Sequence, residues 1–263
     1  MNIIEAMNEC RSVRTFNGEP LGAELRKKLM QAIDEAKSPF GGNVTIRLKE
    51  FDLKGEYRPS TYGSIKGATD FFLLGLQETK ESALTAGFRF EQVVLRAWEL
   101  GLGCCWIAAT FKGSDFDRGQ TWPDGEQLRI ICPVGVAAAK KGFLESITRL
   151  ALGSKNRKKF EDMFFTDNFA KPYSRDGQFG EALEMMRLAP SSKNSQPWRA
   201  LVTGNRVDFY FRYNNPASVL DCGIGLCHFW ETENFYDRKG SFTPETDAPV
   251  ALDNWQYLVS YRI

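Results

Sequence analysis

Two short stretches concentrate side chains able to hold an anion. In RSVRTF, residues 11–16, Arg11, Ser12 and Arg14 stand at adjacent or alternating positions shortly before a helical pattern. Guanidinium groups offer paired donors that match phosphate oxygens, although an ordinary charged surface accounts for the same residues. In APSSKNSQPW, residues 189–198, Pro190 stops a helix. Ser191, Ser192 and Asn194, with free backbone N–H groups, then form a donor-rich concavity, for which a plain structural turn is the alternative. Cys222, Cys227 and His228 bring thiols and an imidazole together, but their spacing fits neither a C-x-x-C pair nor an H-x-x-x-H arm. His228 is the only histidine, so a Ser-His or Cys-His hydrolase would need it as base, and no G-x-S-x-G elbow accompanies it. The glycines of GLGCCW and GIGLCH lack the third Gly of a dinucleotide fingerprint and do not lie between a strand and a helix start.

The elements that position these residues belong to a chain of 263 residues, 43% hydrophobic, enough for one large domain or two small ones packed together. Lys plus Arg number 34 and Asp plus Glu 33, so no global field draws the protein to nucleic acid or an anionic membrane. The basic run at 155–159 reads as a solvated surface, too little for a nucleic-acid site. The longest apolar runs, such as FFLLGL at 71–76, are too short to span a bilayer, and the expectation is a cytoplasmic protein without membrane contact. Five of the six cysteines sit in apolar patterns and read as buried free thiols.

Hydrophobic periodicity predicts a helix over 21–37, a break at SPFGGN (38–43) and a strand beginning VTIRLKEFDL. The same helix, turn and strand recur with a helix from about Phe179, the break at APSSKNSQPW, and ALVTGNRVDFYFRY as a strand. Each copy is followed by an apolar helix containing small residues and Gly, TAGFRFEQVVLRAWELGLG (85–103) and LDCGIGLCHFWETEN (220–234). Further strands are expected at 68–77, 129–138 and the C-terminal WQYLVSYRI, a turn at WPDGEQ (122–127), and a linker at 153–169. The class is therefore α+β, with a duplicated half-domain at a spacing longer than solenoid periods.

Taken together, RSxRxF near the N-terminus, APSSxNxQPW before a strand and an apolar helix ending in GLGxCW resemble the FMN-dependent nitroreductases. In that family two subunits intertwine, and each FMN draws the RSxR side from one subunit and the PSSxN side from the other. Here the first half keeps RSVRTF and GLGCCWIAATF but has SPFGGN in place of the PSSxN loop. The second keeps APSSKNSQPW but has only YSRDGQF where RSVR would stand. This is similar to a branch of fused halves, and it implies halves at 1–165 and 166–263, each a mixed or antiparallel sheet flanked by helices, that mimic the family homodimer within one chain and allow a monomer.

By the same resemblance, Arg11 and Ser12 lie near the FMN phosphate and ribityl chain, and Arg14 near the N1 and C2-carbonyl edge, where it would stabilise charge developing on the ring. Pro190, Ser191, Ser192 and Asn194 bound the ring from the other half, Gln196 and Trp198 are structural, and Ile107, Ala108, Ala109 and Thr110 pass the N5 edge. Asn156, Arg157 and Lys158 match a late basic motif that grips the phosphate. Cys10 stands where the family commonly has a first arginine, a loss for which Arg157 or Lys158 would compensate. The resemblance implies hydride transfer from NAD(P)H through FMN to nitroaromatic, quinone or similar acceptors, with no side chain required as general acid or base. The rival reading is a flavin-binding or cofactor-less relative serving as carrier, sensor or scaffold.

Overall fold

The computed structural model describes residues 1–52, 58–123, 125–139, 157–215, 217–249 and 254–263. Helix α1, Ile3–Glu9, starts with a capping box in which Asn2 accepts from the Glu5 amide and Glu5 accepts from the Asn2 amide, each at 2.9 Å. Helix α2, Ala23–Glu35, buries Leu29 and Ile33, as the i, i+4 spacing requires. Strand β1, Val44–Glu50, pairs antiparallel with β2, Asp70–Leu76, whose seven residues are all buried. Helix α3 runs over Lys80–Glu99 rather than the expected 85–103. The Thr79 hydroxyl caps it by accepting from the Ser82 amide at 3.1 Å, and Gly101, at φ 79°, turns the chain out of the helix early. Strand β3, Gly103–Cys104, helix α4, Gly113–Asp117, and strand β4, Gln127–Gly135, complete the first body. The predicted turn between the last two survives as Gly125, at φ 79°, and a Glu126 amide donating to the Pro123 carbonyl.

The segment expected as a linker is partly ordered sheet: after a 3-10 turn at Phe160–Asp162 come β5, Phe164–Thr166, and β6, Asn168–Pro172. Helix α5, Gly180–Leu188, follows. The single strand expected after it is a hairpin, β7, Trp198–Thr203, and β8, Arg206–Phe211, because Gly204 takes φ 58° and reverses the chain. Helix α6, Ser218–Phe235, and strands β9, Ser241–Thr243, and β10, Gln256–Arg262, close the chain.

The α+β class therefore holds, with two sheets and helices packed on them. One sheet has the order β1-β2-β4-β3 and the other β6-β5-β7-β8-β10-β9. The run β7-β8-β10-β9 repeats β1-β2-β4-β3 with the same antiparallel neighbours, and β5 adds to it in parallel beside β7. Residue Phe160 onward packs in the second core, which also takes Met7 from α1 and Leu84, Phe88 and Leu95 from α3. The second core thus borrows buried side chains from the first segment, and half-buried Leu220 of α6 packs on the first core in return.

The central helices α3 and α6 cross at glycine. A β-carbon on Gly87 would fall on the Leu220 carbonyl oxygen and 3.0 Å from the Gly223 Cα. One on Gly223 would fall on the Leu84 carbonyl oxygen and 3.0 Å from the Gly87 Cα. The contacts are reciprocal, as they must be where a local two-fold relation passes between two helices. Glycine is required here for the close approach of two backbones, and helix propensity is sacrificed to obtain it.

Candidate functional site

RSVRTF is an extended segment held between two partners. Ser12 bridges to Cys104, the Val13 amide donates to the Cys104 carbonyl at 2.9 Å, and the Lys66 amide donates to the Arg14 carbonyl at 2.9 Å. Alternation then puts Val13 into the core and Ser12 and Arg14 together on the wall of a cavity of about 360 Å³. Arg11 falls on the other side: its guanidinium sits 5.4 Å from the Trp98 ring centroid and donates to the Glu9 carbonyl. Past β3, Ile107 pairs with Ile131 of β4, and the chain then bends so that Ala108, Ala109 and Thr110 line the same cavity. Among the described residues, the amides of these three donate to no protein acceptor.

The opposite wall comes from the second body, with Pro190, Ser191, Ser192 and Lys193. The loop that carries them is strained, because Lys193, Asn194 and Gln196 all adopt positive φ, at 51°, 54° and 44°. Side chains impose that conformation. Gln196 is fully buried, donates from Nε2 to the Arg187 carbonyl at 2.8 Å, and accepts at Oε1 from the Lys158 amide at 2.8 Å. The Lys158 ammonium donates to the carbonyls of Ser195 and Gln196, and Arg157 donates to Asn194 Oδ1 and to the Leu188 carbonyl. Arg157, Lys158 and Asn194 thus brace the loop from behind, while Asn156 lies outside the described residues. Ser12, Arg14, Ala108, Ala109, Thr110, Pro190, Ser191 and Ser192 meet in the cavity, and Arg11, Arg157, Lys158 and Asn194 are outside its lining.

Arg14, Arg157, Lys158 and Lys193 make no ion pair with a carboxylate among the described residues. Arg14 faces the cavity, and half-buried Arg157 has only neutral oxygens as acceptors. Desolvation lowers the Arg157 pKa, with Arg187 adding to the effect. Burial, followed by Arg199 and Arg212, brings Lys158 down to about 8. An anion is what such an arrangement is short of.

Among the wall residues missed by sequence reasoning, Trp106 and Asp221 carry polar networks. Trp106 donates its indole N–H to Glu91 at 2.9 Å, and the other Glu91 oxygen meets His228 Nε2 at 2.9 Å, with Glu91 and His228 fully buried. The sole histidine is therefore part of a helix-crossing network rather than a metal site. Asp221, in the first turn of α6, is 2% exposed, and both its oxygens accept from the Ser192 amide at 3.0 Å. No polar periodicity announces it, since it precedes an apolar helix.

Burial pushes the Asp221 carboxyl up to about 7, against the opposing pull of the Ser192 and Ser195 hydrogen bonds. Between the ordinary 3.8 and 7, the folded chain holds a proton that the unfolded chain releases, so this group makes stability fall as pH rises through that window. Asp221→Asn is expected to be more stable than the parent at pH 8 by about 3 kcal/mol, the difference closing toward pH 4. Urea unfolding of both flavin-free proteins at the two pH values measures it, and an equal gap at both would show that Asp221 is not raised.

The equivalent place on the other side of the helix crossing is filled. Thr85 Oγ1 donates within the SPFGGN loop, 2.6 Å from the carbonyls of both Phe40 and Gly41, as Asp221 binds the Ser192 loop. Phe40 packs on Phe88 and on Phe242, each with ring centroids 5.3 Å apart, and Phe88 lies 5.6 Å from Trp230. Aromatic side chains therefore cluster beside the SPFGGN loop, on the side of the helix crossing opposite the cavity.

Two interlocked α+β bodies, with a donor-lined cleft built from one loop of each, define a nitroreductase-like fold. The chain belongs to the family described as "Putative TM nitroreductase", whose model matches residues 2–232. It is similar in structure to a "putative nitroreductase" of Thermotoga maritima MSB8, at 19% identity and a TM-score of 0.60, over 99% of this chain and 92% of that one. A nitroreductase family protein of Clostridium difficile 630 aligns at 19% identity and TM-score 0.42, over 57% of this chain and 92% of that one. A nitroreductase with bound FMN from Bacteroides fragilis NCTC 9343 aligns at 15% identity and TM-score 0.42, over 54% of this chain and 92% of that one. No curated protein matches the sequence. No helix among the described residues is long and apolar enough to cross a membrane.

Proposed function

We propose that the chain is an FMN-dependent oxidoreductase that uses NAD(P)H to reduce nitroaromatic, quinone or similar small acceptors. The observation that carries this reading is one cavity in which Arg14 and Ser12 of the first body face Pro190, Ser191 and Ser192 of the second. Its volume of about 360 Å³ falls in the range of small-molecule sites. The donors fit the group: Arg14 without a counter-ion and the amides of Ala108, Ala109 and Thr110 without a protein acceptor among the described residues, and hydroxyls on both walls, all matched to the acceptor-rich edge of a flavin ring. Arg157, which has no carboxylate partner among the described residues, supplies positive charge behind the loop for a phosphate, while Arg11 is turned away toward Trp98.

FMN bound there would accept a hydride from NAD(P)H and pass it to the acceptor. Arg14 would hold a fixed positive charge against the ring as negative charge develops, and the strained loop would fix Ser191 and Ser192. Trp106, pinned through Glu91, would limit the cleft on the inner side. The halves 1–165 and 166–263 would stand in for the two subunits of the family dimer, with β5 joining the second, so that the chain functions as a monomer.

Because Phe40, Phe88 and Phe242 fill the second position, one flavin per chain is expected. Fluorescence-quenching titration should reach equivalence at one FMN per chain, and the yellow complex should bleach with NADH or NADPH. Equivalence at two would contradict the filled second position. An absence of binding at micromolar FMN would leave a carrier or scaffold reading in its place.

A further inference from the structure

Among the described residues, Asp221 is the single carboxylate lining the cavity. It makes no ion pair among the described residues, and its only protein donors are the Ser192 amide and, at 3.4 Å, the Ser195 hydroxyl. The charged and titratable groups around it come from separate elements: Lys193 from the loop, Arg14 across the cavity and Cys222 from its own helix, with Lys80 of α3 acting on Cys222. Arg14 and Asp221 line the same cavity from its two sides and make no ion pair with each other.

Resting on the FMN reading, we propose that Asp221 belongs to the cofactor site as a proton-holding residue, and that binding of the flavin is coupled to uptake of one proton by its carboxyl group. The N1, C2-carbonyl, C4-carbonyl and N5 positions of the ring all accept hydrogen bonds, and the cofactor carries a phosphate. A carboxylate against these acceptors is repelled and loses its remaining water when the ring covers it. The neutral acid instead donates its O–H to the ring and still accepts from the Ser192 amide. The proton comes from solvent, and no bond other than the O–H of Asp221 forms. Burial has already raised the carboxyl to about 7, and covering it with the acceptor-rich ring raises it further, above the pH range in which flavin binding is followed.

The test is the pH dependence of flavin affinity in the whole chain and in Asp221→Asn, whose amide can donate and accept at every pH used. In the parent, the FMN dissociation constant should rise about tenfold between pH 8 and pH 9, and calorimetry at pH 8 in two buffers of different ionisation enthalpy should show close to one proton taken up per flavin. The variant should show a flat profile and no uptake. Lys158 titrates near the same range, at about 8. Riboflavin, which has no phosphate to pair with it, should therefore show the same slope as FMN. A flat profile in the parent, or the same slope in the variant, overturns the proposal. So does affinity that tightens with rising pH, which would mean that the carboxylate accepts from the ring N3–H. If the parent binds neither flavin at any pH, the FMN reading itself fails, and this inference with it.

Discussion

Gly87→Ala is expected to unfold the protein or come close to it. In an ordinary helix interior this substitution stabilises by about 0.5–1 kcal/mol, because alanine has the better helix propensity. Here the new methyl would overlap the Leu220 carbonyl oxygen of the crossing helix and press on Gly223, and neither contact is the free end of a flexible side chain. Two backbones must separate, which opens the packing of α3 against α6 and both shared cores. We expect a loss of about 4 kcal/mol or more, a large part of the stability of a typical domain. Gly113→Ala is the matched control: it also lies in a helix, a β-carbon there meets nothing within 4 Å, and its effect should be neutral or mildly stabilising. Urea midpoints for the two variants measure the contrast. A stable Gly87→Ala protein would mean that the helices do not cross at this distance.

Arg14→Gln has the largest expected effect on activity. The guanidinium lines the cavity and has no carboxylate to hold it among the described residues, so its charge is available to a bound group. Under the proposed function it offsets the negative charge gained by the ring, and removal of one such preorganised donor typically lowers a rate by 10²–10³-fold. Glutamine keeps a donor but loses the charge, so flavin reduction by NAD(P)H should slow by about 10²-fold, and FMN affinity should fall by about tenfold. Arg14→Lys should lie between the two, because an ammonium keeps the charge without the planar pair of donors. Stopped-flow bleaching of the flavin-loaded variants reads the rate directly. A rate within twofold of the parent would remove Arg14 from the reaction and leave it a binding role at most.

What the amino-acid order determined alone was the part of the molecule written in local patterns. Spacing at i, i+4 marked α2, the uninterrupted apolar run marked β2, and Pro190 marked the end of α5. The grouping of Arg11, Ser12 and Arg14, and of Pro190 through Asn194, was legible because the donors stand within a few residues of one another. The boundaries of α3 and the hairpin of β7 and β8 were less so: the first depended on a hydroxyl cap at Thr79, the second on the backbone conformation of Gly204.

Tertiary structure alone decided which donors face the cavity. Arg11 and Arg14 are equal in composition, but an extended backbone bridged to Cys104 and Lys66 turns alternate side chains to opposite sides. Lys158 resembles a phosphate ligand in the sequence, yet its ammonium is held by two carbonyls of the loop that it braces. Asp221 meets Ser192 only because α6 packs beside α5 and the loop that follows it, and the crossing of α6 with α3 rests on Gly87 and Gly223, which are ordinary small residues until two backbones meet. Each of these depends on contacts between residues far apart in the chain, and their distances are set by packing rather than by any local preference of the sequence.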